Sequence, residues 1–110
     1  MNMKVYRLRA DARLPKRACE SDAGMDLFYC PNGEKKEIFD QEGYPICPKE
    51  SKLIPTGIKV EVPYGYMLEI KNKSGIAYKR QLITGACVVD PGYDGEVYVN
   101  LHNIGYSTQF

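Results

Sequence analysis

Three short stretches of this chain bring together residue types that can do chemistry. The first is Asp90-Pro91-Gly92-Tyr93-Asp94-Gly95, with a carboxylate and a phenol ring in one tight turn. Proline presets φ there, and the glycines tolerate φ > 0. Two readings fit the pair. Either Asp90 caps an Asx-type turn and Tyr93 packs beside it, or Asp90 handles a proton while Tyr93 lies against a flat substrate. The second stretch is Lys73-Ser74-Gly75, an ammonium, a hydroxyl and a permissive backbone in succession. That trio suits a phosphate through charge-assisted hydrogen bonds and backbone N–H groups, and it equally suits an ordinary basic turn. It is not a P-loop, because the G-x4-G-K-[ST] glycines are missing. The third is Asp26, followed directly by Leu27, Phe28 and Tyr29. A carboxylate beside such a run is expected to be partnered.

The elements that position these residues read as short strands. Ala86 to Val89 is an apolar run, and Val97, Val99 and Leu101 alternate with Glu96, Tyr98, Asn100 and His102. With the turn between them they predict a β-hairpin with Asp90 and Tyr93 at its mouth. Upstream, Met3–Leu8 reads as an edge strand with imperfect alternation, and Asp11–Glu20 as a loop. In Ser21–Tyr29 a short strand is expected after the small residues Ala23 and Gly24. Turn signals on either side of Ile38 and Phe39 predict an exposed hairpin between Cys30 and Lys52, with Glu34, Lys35, Lys36 and Glu37 as a solvated face. Leu53–Gly57 reads as a turn, Ile58, Val60 and Val62 as a strand, and Pro63–Tyr66 as a second turn. Met67, Leu68 and Ile70 form a further strand, and Ile76–Arg80 one helical turn. Strands every eight to twelve residues, separated by Pro/Gly turns, predict an all-β sandwich or jelly roll.

At 110 residues the chain makes a single domain, residues 1–110, and 44% hydrophobic residues support a core. A net charge of +1, with Lys and Arg interleaved with Glu and Asp, carries no nucleic-acid footprint. No apolar run is long enough to span a bilayer, and the N-terminus is too polar for a signal peptide. The four cysteines, Cys19, Cys30, Cys47 and Cys87, form no C-x2-C pair, and His102 is the single histidine. A zinc site is therefore not expected. Without a secretory signal the cysteines read as free thiols in a reducing, cytoplasmic setting, or the host cytoplasm for a viral protein.

Three stretches in order resemble the first three motifs of the trimeric dUTPases: SDAGMDLFY, LIPTGIKVEVPYGY with KNKSGIA, and GACVVDPGYDGEVYVNLHN. The resemblance covers about residues 18–106. It implies a distorted jelly roll that assembles as a homotrimer with shared active sites. It also implies hydrolysis of dUTP to dUMP and pyrophosphate, with Mg2+ on the phosphates. By the same resemblance Asp90 deprotonates the attacking water, and Tyr93 lies against the deoxyribose and excludes a 2′-hydroxyl. Backbone near Cys87 and Tyr98 bonds the uracil edge. Ser74 and Gly75 bind phosphate oxygens, Lys73 neutralises their charge, and Asp26 supports the metal through water.

The chain departs from the family pattern at three places. Lys73 stands where the family carries Arg, which keeps the charge but loses the planar fork. Cys87 stands where the family carries Gly. The later family motifs, a Gly-rich strand with Gln and a C-terminal arm with Arg and Phe, have no counterpart before Phe110, so the fold is expected to be C-terminally shortened. Two other functions stand beside this reading, the first motivated by these departures and the second by the turn itself. One is a non-enzymatic dUTPase-fold protein, binding or structural, for example in a virus. The other is a relative of the dCTP deaminases, which share the Asp-Pro-Gly-aromatic turn but carry a catalytic Glu where this chain has Asn100.

Overall fold

The computed structural model describes residues 3–32 and 45–110. Among these residues seven short strands and one helix follow in the order β1 (Lys4–Arg7), β2 (Ser51–Pro55), β3 (Ile58–Glu61), β4 (Leu68–Glu69), α1 (Ser74–Arg80), β5 (Leu82–Thr84), β6 (Val88–Val89) and β7 (Tyr98–Asn103). They form three antiparallel sheets: β1 with β3, β4 with β6, and β2-β7-β5. The expected all-β architecture is observed. Of the exposed hairpin expected between Cys30 and Lys52, residues 33–44 lie outside the described residues, but its described ends depart from the expectation: Cys30 and Ile46, each 2% exposed, join the core, and Ser51 and Lys52 belong to β2. Among the described residues, no helix is long and apolar enough to cross a membrane.

The core follows from alternation. In β3, Ile58 and Val60 are 0% and 2% exposed while Lys59 and Glu61 face outward. They join Ala12, Cys30, Val62, Ile70 and Val97 in one apolar cluster. Burying a side chain such as Ile58 contributes about 2 kcal/mol. Ile46, Ile54 and Leu82 form a second cluster, and Val99 of β7 packs against both. All four cysteines are free thiols.

Four further expectations change. The expected hairpin of Ala86–Val89 with the following strand is not a mutual pair: β6 pairs with β4, and β7 lies between β2 and β5. Alternation reports which face of a strand is buried, not which strand lies beside it. The expected turn over Leu53–Gly57 is mostly strand, since β2 runs through Pro55 before the chain bends at Thr56 and Gly57. β2 is an edge strand, where the missing N–H of proline is tolerated. Asp26–Tyr29 forms no strand. Asp26 makes a single bridge to Lys16, and Phe28 lies under the Arg13 guanidinium, 3.7 Å from its ring centroid. The helical segment is longer than one turn, because α1 already begins at Ser74.

Candidate active site

The loop between β6 and β7 carries the expected acid and ring. The Tyr93 N–H donates to the Asp90 carbonyl at 3.1 Å, closing the turn. The Tyr93 hydroxyl donates to the Glu96 carbonyl at 2.6 Å, so the ring folds back along its own loop. Gly95 makes room for this, since a Cβ there would lie 3.0 Å from the Tyr93 hydroxyl. Because β6 and β7 belong to different sheets, the loop spans a gap between them. That gap is a cleft of about 280 Å3 whose walls include Cys87, Asp90, Tyr93, Glu96, Tyr98 and Asn100. Both Asp90 and Tyr93 are solvent-accessible.

Each wall residue is held differently. The Cys87 carbonyl accepts the Ile70 N–H at 2.7 Å, extending the β4–β6 ladder, and Cys87 also packs against the main core. Tyr98 opens β7 opposite Pro55. The Asn100 side chain is heavily engaged. Its carbonyl accepts the Ala86 N–H at 3.0 Å and stands 3.1 Å from His102 Nε2, and its amide donates to Ser51 Oγ at 2.8 Å. Gly85 is required here, because a Cβ would meet His102 Nε2 at 2.3 Å and Asn100 Oδ1 at 2.4 Å. Asn100 is thus a fixed strut of the cleft wall, with no carboxylate to carry a proton.

Asp26, Lys73, Ser74 and Gly75 do not line this cleft. They form a second group. Lys73 Nζ lies 3.1 Å from Asp26 Oδ2, so the expected partner of Asp26 is Lys73. Ser74 and Gly75 open α1, and both are exposed. The segment before the helix is pinned by Asn72, whose side-chain carbonyl accepts the Thr84 N–H at 2.7 Å. Lys79 and Arg80 occupy the last turn of α1, where the helix dipole favours cations.

Two charged pairs that sequence reasoning did not find hold the loop. Glu96 accepts both Arg9 nitrogens, at 2.8 and 2.7 Å, and the Gly57 N–H at 2.9 Å. The Arg9 guanidinium, with the Gly57 N–H in support, holds the Glu96 carboxyl below its usual range against the opposing effect of burial. The same pair raises Arg9 above its usual value. Asp94 is paired with Lys59 of β3, which lowers the Asp94 carboxyl and raises the Lys59 ammonium. Neither pair has a local signature, since the partners lie in distant segments. The sole hint was a glutamate directly before the buried Val97.

The family model for dUTPase matches residues 10–109. The chain belongs to the dUTPase family. A deoxyuridine 5′-triphosphate nucleotidohydrolase of Gloeothece citriformis is 39% identical over 107 residues, covering 96% of this chain and 66% of that relative. A mutant dUTPase from phage phi11 of S. aureus, whose structure reveals the coordination of a structural Mg(II) ion, superposes with a TM-score of 0.77 at 29% identity. That match covers 94% of this chain and 61% of the phage chain. A mutant of the Staphylococcus bacteriophage 80alpha dUTPase with dUpNHpp gives a TM-score of 0.78 at 29% identity, covering 94% and 55%. This chain therefore has the jelly-roll-like β fold of the dUTPases, and it spans just under two thirds of the length of the first relative.

The family's association with Mg2+ can be tested on the donors present. Among the described residues, no group of three or more His, Cys, Asp or Glu side chains could hold a metal. Mg2+ does not need such a cage. It keeps several waters and takes one or two carboxylates plus substrate phosphates. Asp26, half-buried beside Lys73, fits that lighter mode of binding.

Proposed function

We propose that this protein hydrolyses dUTP to dUMP and pyrophosphate, the reaction that supplies dUMP for biosynthesis. The observation that carries the reading is the placement of Asp90 and Tyr93 in one turn at the wall of a 280 Å3 cleft that also includes Cys87 and Tyr98. Asp90 holds and deprotonates a water, which attacks the α-phosphorus in line as pyrophosphate departs. The Tyr93 ring lies against the deoxyribose, leaving no space for a 2′-hydroxyl. Backbone near Cys87 and Tyr98 reads the uracil edge. Lys73, Ser74 and Gly75 receive phosphate oxygens, and Asp26 would hold a Mg2+ through water. When bound, that ion supplies neutralisation of the phosphate charge.

The separation of the two groups supports a homotrimer with shared sites. The Asp26–Lys73 group does not line the cleft of its own chain, so on this reading a neighbouring copy completes each site. Exposed apolar side chains such as Leu8, Leu14, Leu53 and Ile104, each between 47% and 59% exposed, support such an assembly. We assign the protein to the cytoplasm on the same reading.

The test is pyrophosphate release from dUTP with Mg2+. Asp90→Asn is expected to lower turnover by about 10^2- to 10^4-fold while dUTP still binds. Unchanged turnover removes Asp90 from the mechanism. Binding of dUTP by the wild type without turnover favours a binding protein instead, and ammonia released from dCTP favours a deaminase.

A further inference from the structure

Arg9 lies just beyond β1, far along the chain from the loop that carries Asp90 and Tyr93. Its guanidinium nonetheless grips that loop through Glu96, Nη1 to Oε1 at 2.8 Å and Nη2 to Oε2 at 2.7 Å. The same Nη2 donates to the Cys30 carbonyl at 2.9 Å, tying the guanidinium to the core. Glu96 is 11% exposed and Arg9 23%. The backbone carbonyl of Glu96 in turn accepts the Tyr93 hydroxyl. One residue thus has its side chain fastened to the frame and its carbonyl fastened to the ring.

We infer that the Arg9–Glu96 pair is a positioning device for Tyr93. It fixes the carbonyl that holds the ring folded along its loop at the cleft wall, and so sets how strictly the site separates a deoxyribose from a ribose. This rests on the nucleotide reading above. Three features favour positioning over simple bracing. A bidentate fork fixes angle as well as distance, which a lysine in the same place cannot do. The Arg9 hydrogen bonds run through Nη1 and Nη2 to Glu96 and the Cys30 carbonyl, so the fork end of the guanidinium is set by the loop on one side and the frame on the other. The ring also lies tightly against Gly95, which limits its alternatives. The Asp90 side chain has no part in this chain of contacts; its tie to Tyr93 runs through its own carbonyl. The pair should therefore act on substrate fit more than on the chemical step.

The experiment compares wild type, Arg9→Lys, Arg9→Gln, Tyr93→Phe and the double variant Arg9→Gln/Tyr93→Phe. It measures KM and kcat for dUTP and UTP with Mg2+, and the 1H–13C ring resonance of Tyr93 in the ligand-free protein. Arg9→Gln is expected to raise the KM for dUTP about tenfold, hold kcat within about threefold, and narrow the dUTP/UTP ratio of kcat/KM. Arg9→Lys should fall between, and Arg9→Gln should narrow that ratio no further once the Tyr93 hydroxyl is gone. The Tyr93 resonance should move in Arg9→Gln. An unmoved resonance, or an unchanged dUTP/UTP ratio, in a folded Arg9→Gln protein overturns the inference. Should Arg9→Gln unfold, Glu96→Gln, which keeps the side-chain shape, takes its place with the same expectations. A wild type that neither binds nor hydrolyses dUTP overturns the functional reading and the specificity claim with it. The ring resonance still decides whether the pair positions Tyr93.

Discussion

Lys73 Nζ meets Asp26 Oδ2 at 3.1 Å, joining the start of α1 to the segment that bridges to Lys16. On the proposed reading, an ammonium already paired with a carboxylate must share itself with an arriving phosphate. An arginine has five donors and can hold both at once. Lys73→Arg is therefore expected to lower the KM for dUTP several-fold, on the order of 1 kcal/mol, with little change in Tm, because Lys73 is 59% exposed. Steady-state kinetics beside a thermal melt check both halves of the statement.

Gly95→Ala tests the packing of the aromatic ring. The added Cβ would stand 3.0 Å from the Tyr93 hydroxyl and 3.1 Å from Cζ, tighter than ordinary contact. The ring must give way by a few tenths of an ångström. Weaker binding of dUMP, about three- to tenfold, is expected with a nearly unchanged melting temperature. Calorimetry with dUMP measures it, and unchanged affinity means the ring pose does not matter.

Gly57→Ala tests the bend after β2. Gly57 has φ +73°, and a Cβ there would lie 2.8 Å from the Ala12 Cβ and 2.9 Å from the Cys30 Sγ, both buried. Left-handed backbone and collision act together, so a loss of more than about 3 kcal/mol is expected. Urea unfolding reads the loss directly.

The acid limb of stability should report Glu96. Its carboxyl is held below the usual 4.5, first by the Arg9 guanidinium. A depressed folded-state value means that the unfolded chain binds the proton more readily. The stabilisation is then complete above about pH 4.5 and is lost as pH falls through the lowered folded value. Arg9→Gln should cost about 2 kcal/mol at pH 7, and the gap from wild type should narrow as the pH falls below 4.5 through the lowered folded value. Parallel denaturation series on either side of that value test this, and a gap that stays constant with pH would falsify the assignment.

Much of this protein could be read from its residues in order. Alternation identified β3 and the buried face leading through Val97 and Val99. The Pro/Gly turns marked the bends at Pro63–Tyr66 and Asp90–Gly95, and the ordered motifs marked the family, with Asp26, Lys73, Ser74, Asp90 and Tyr93 as its proposed site residues. These are local properties: side-chain period, proline φ and glycine freedom each act over a few residues. The tertiary structure decided which strand lies beside which. It placed β7 between β2 and β5 rather than against β6, and so opened a cleft where a closed hairpin was expected. It extended β2 through the apparent turn at Pro55 and added β5, which carries no alternation long enough to see. It also joined Arg9 to Glu96, Lys59 to Asp94 and Lys73 to Asp26. A charge on a strand shows only that it seeks a partner. Which partner it finds depends on long-range burial of the apolar faces, and that is settled only when the whole chain packs.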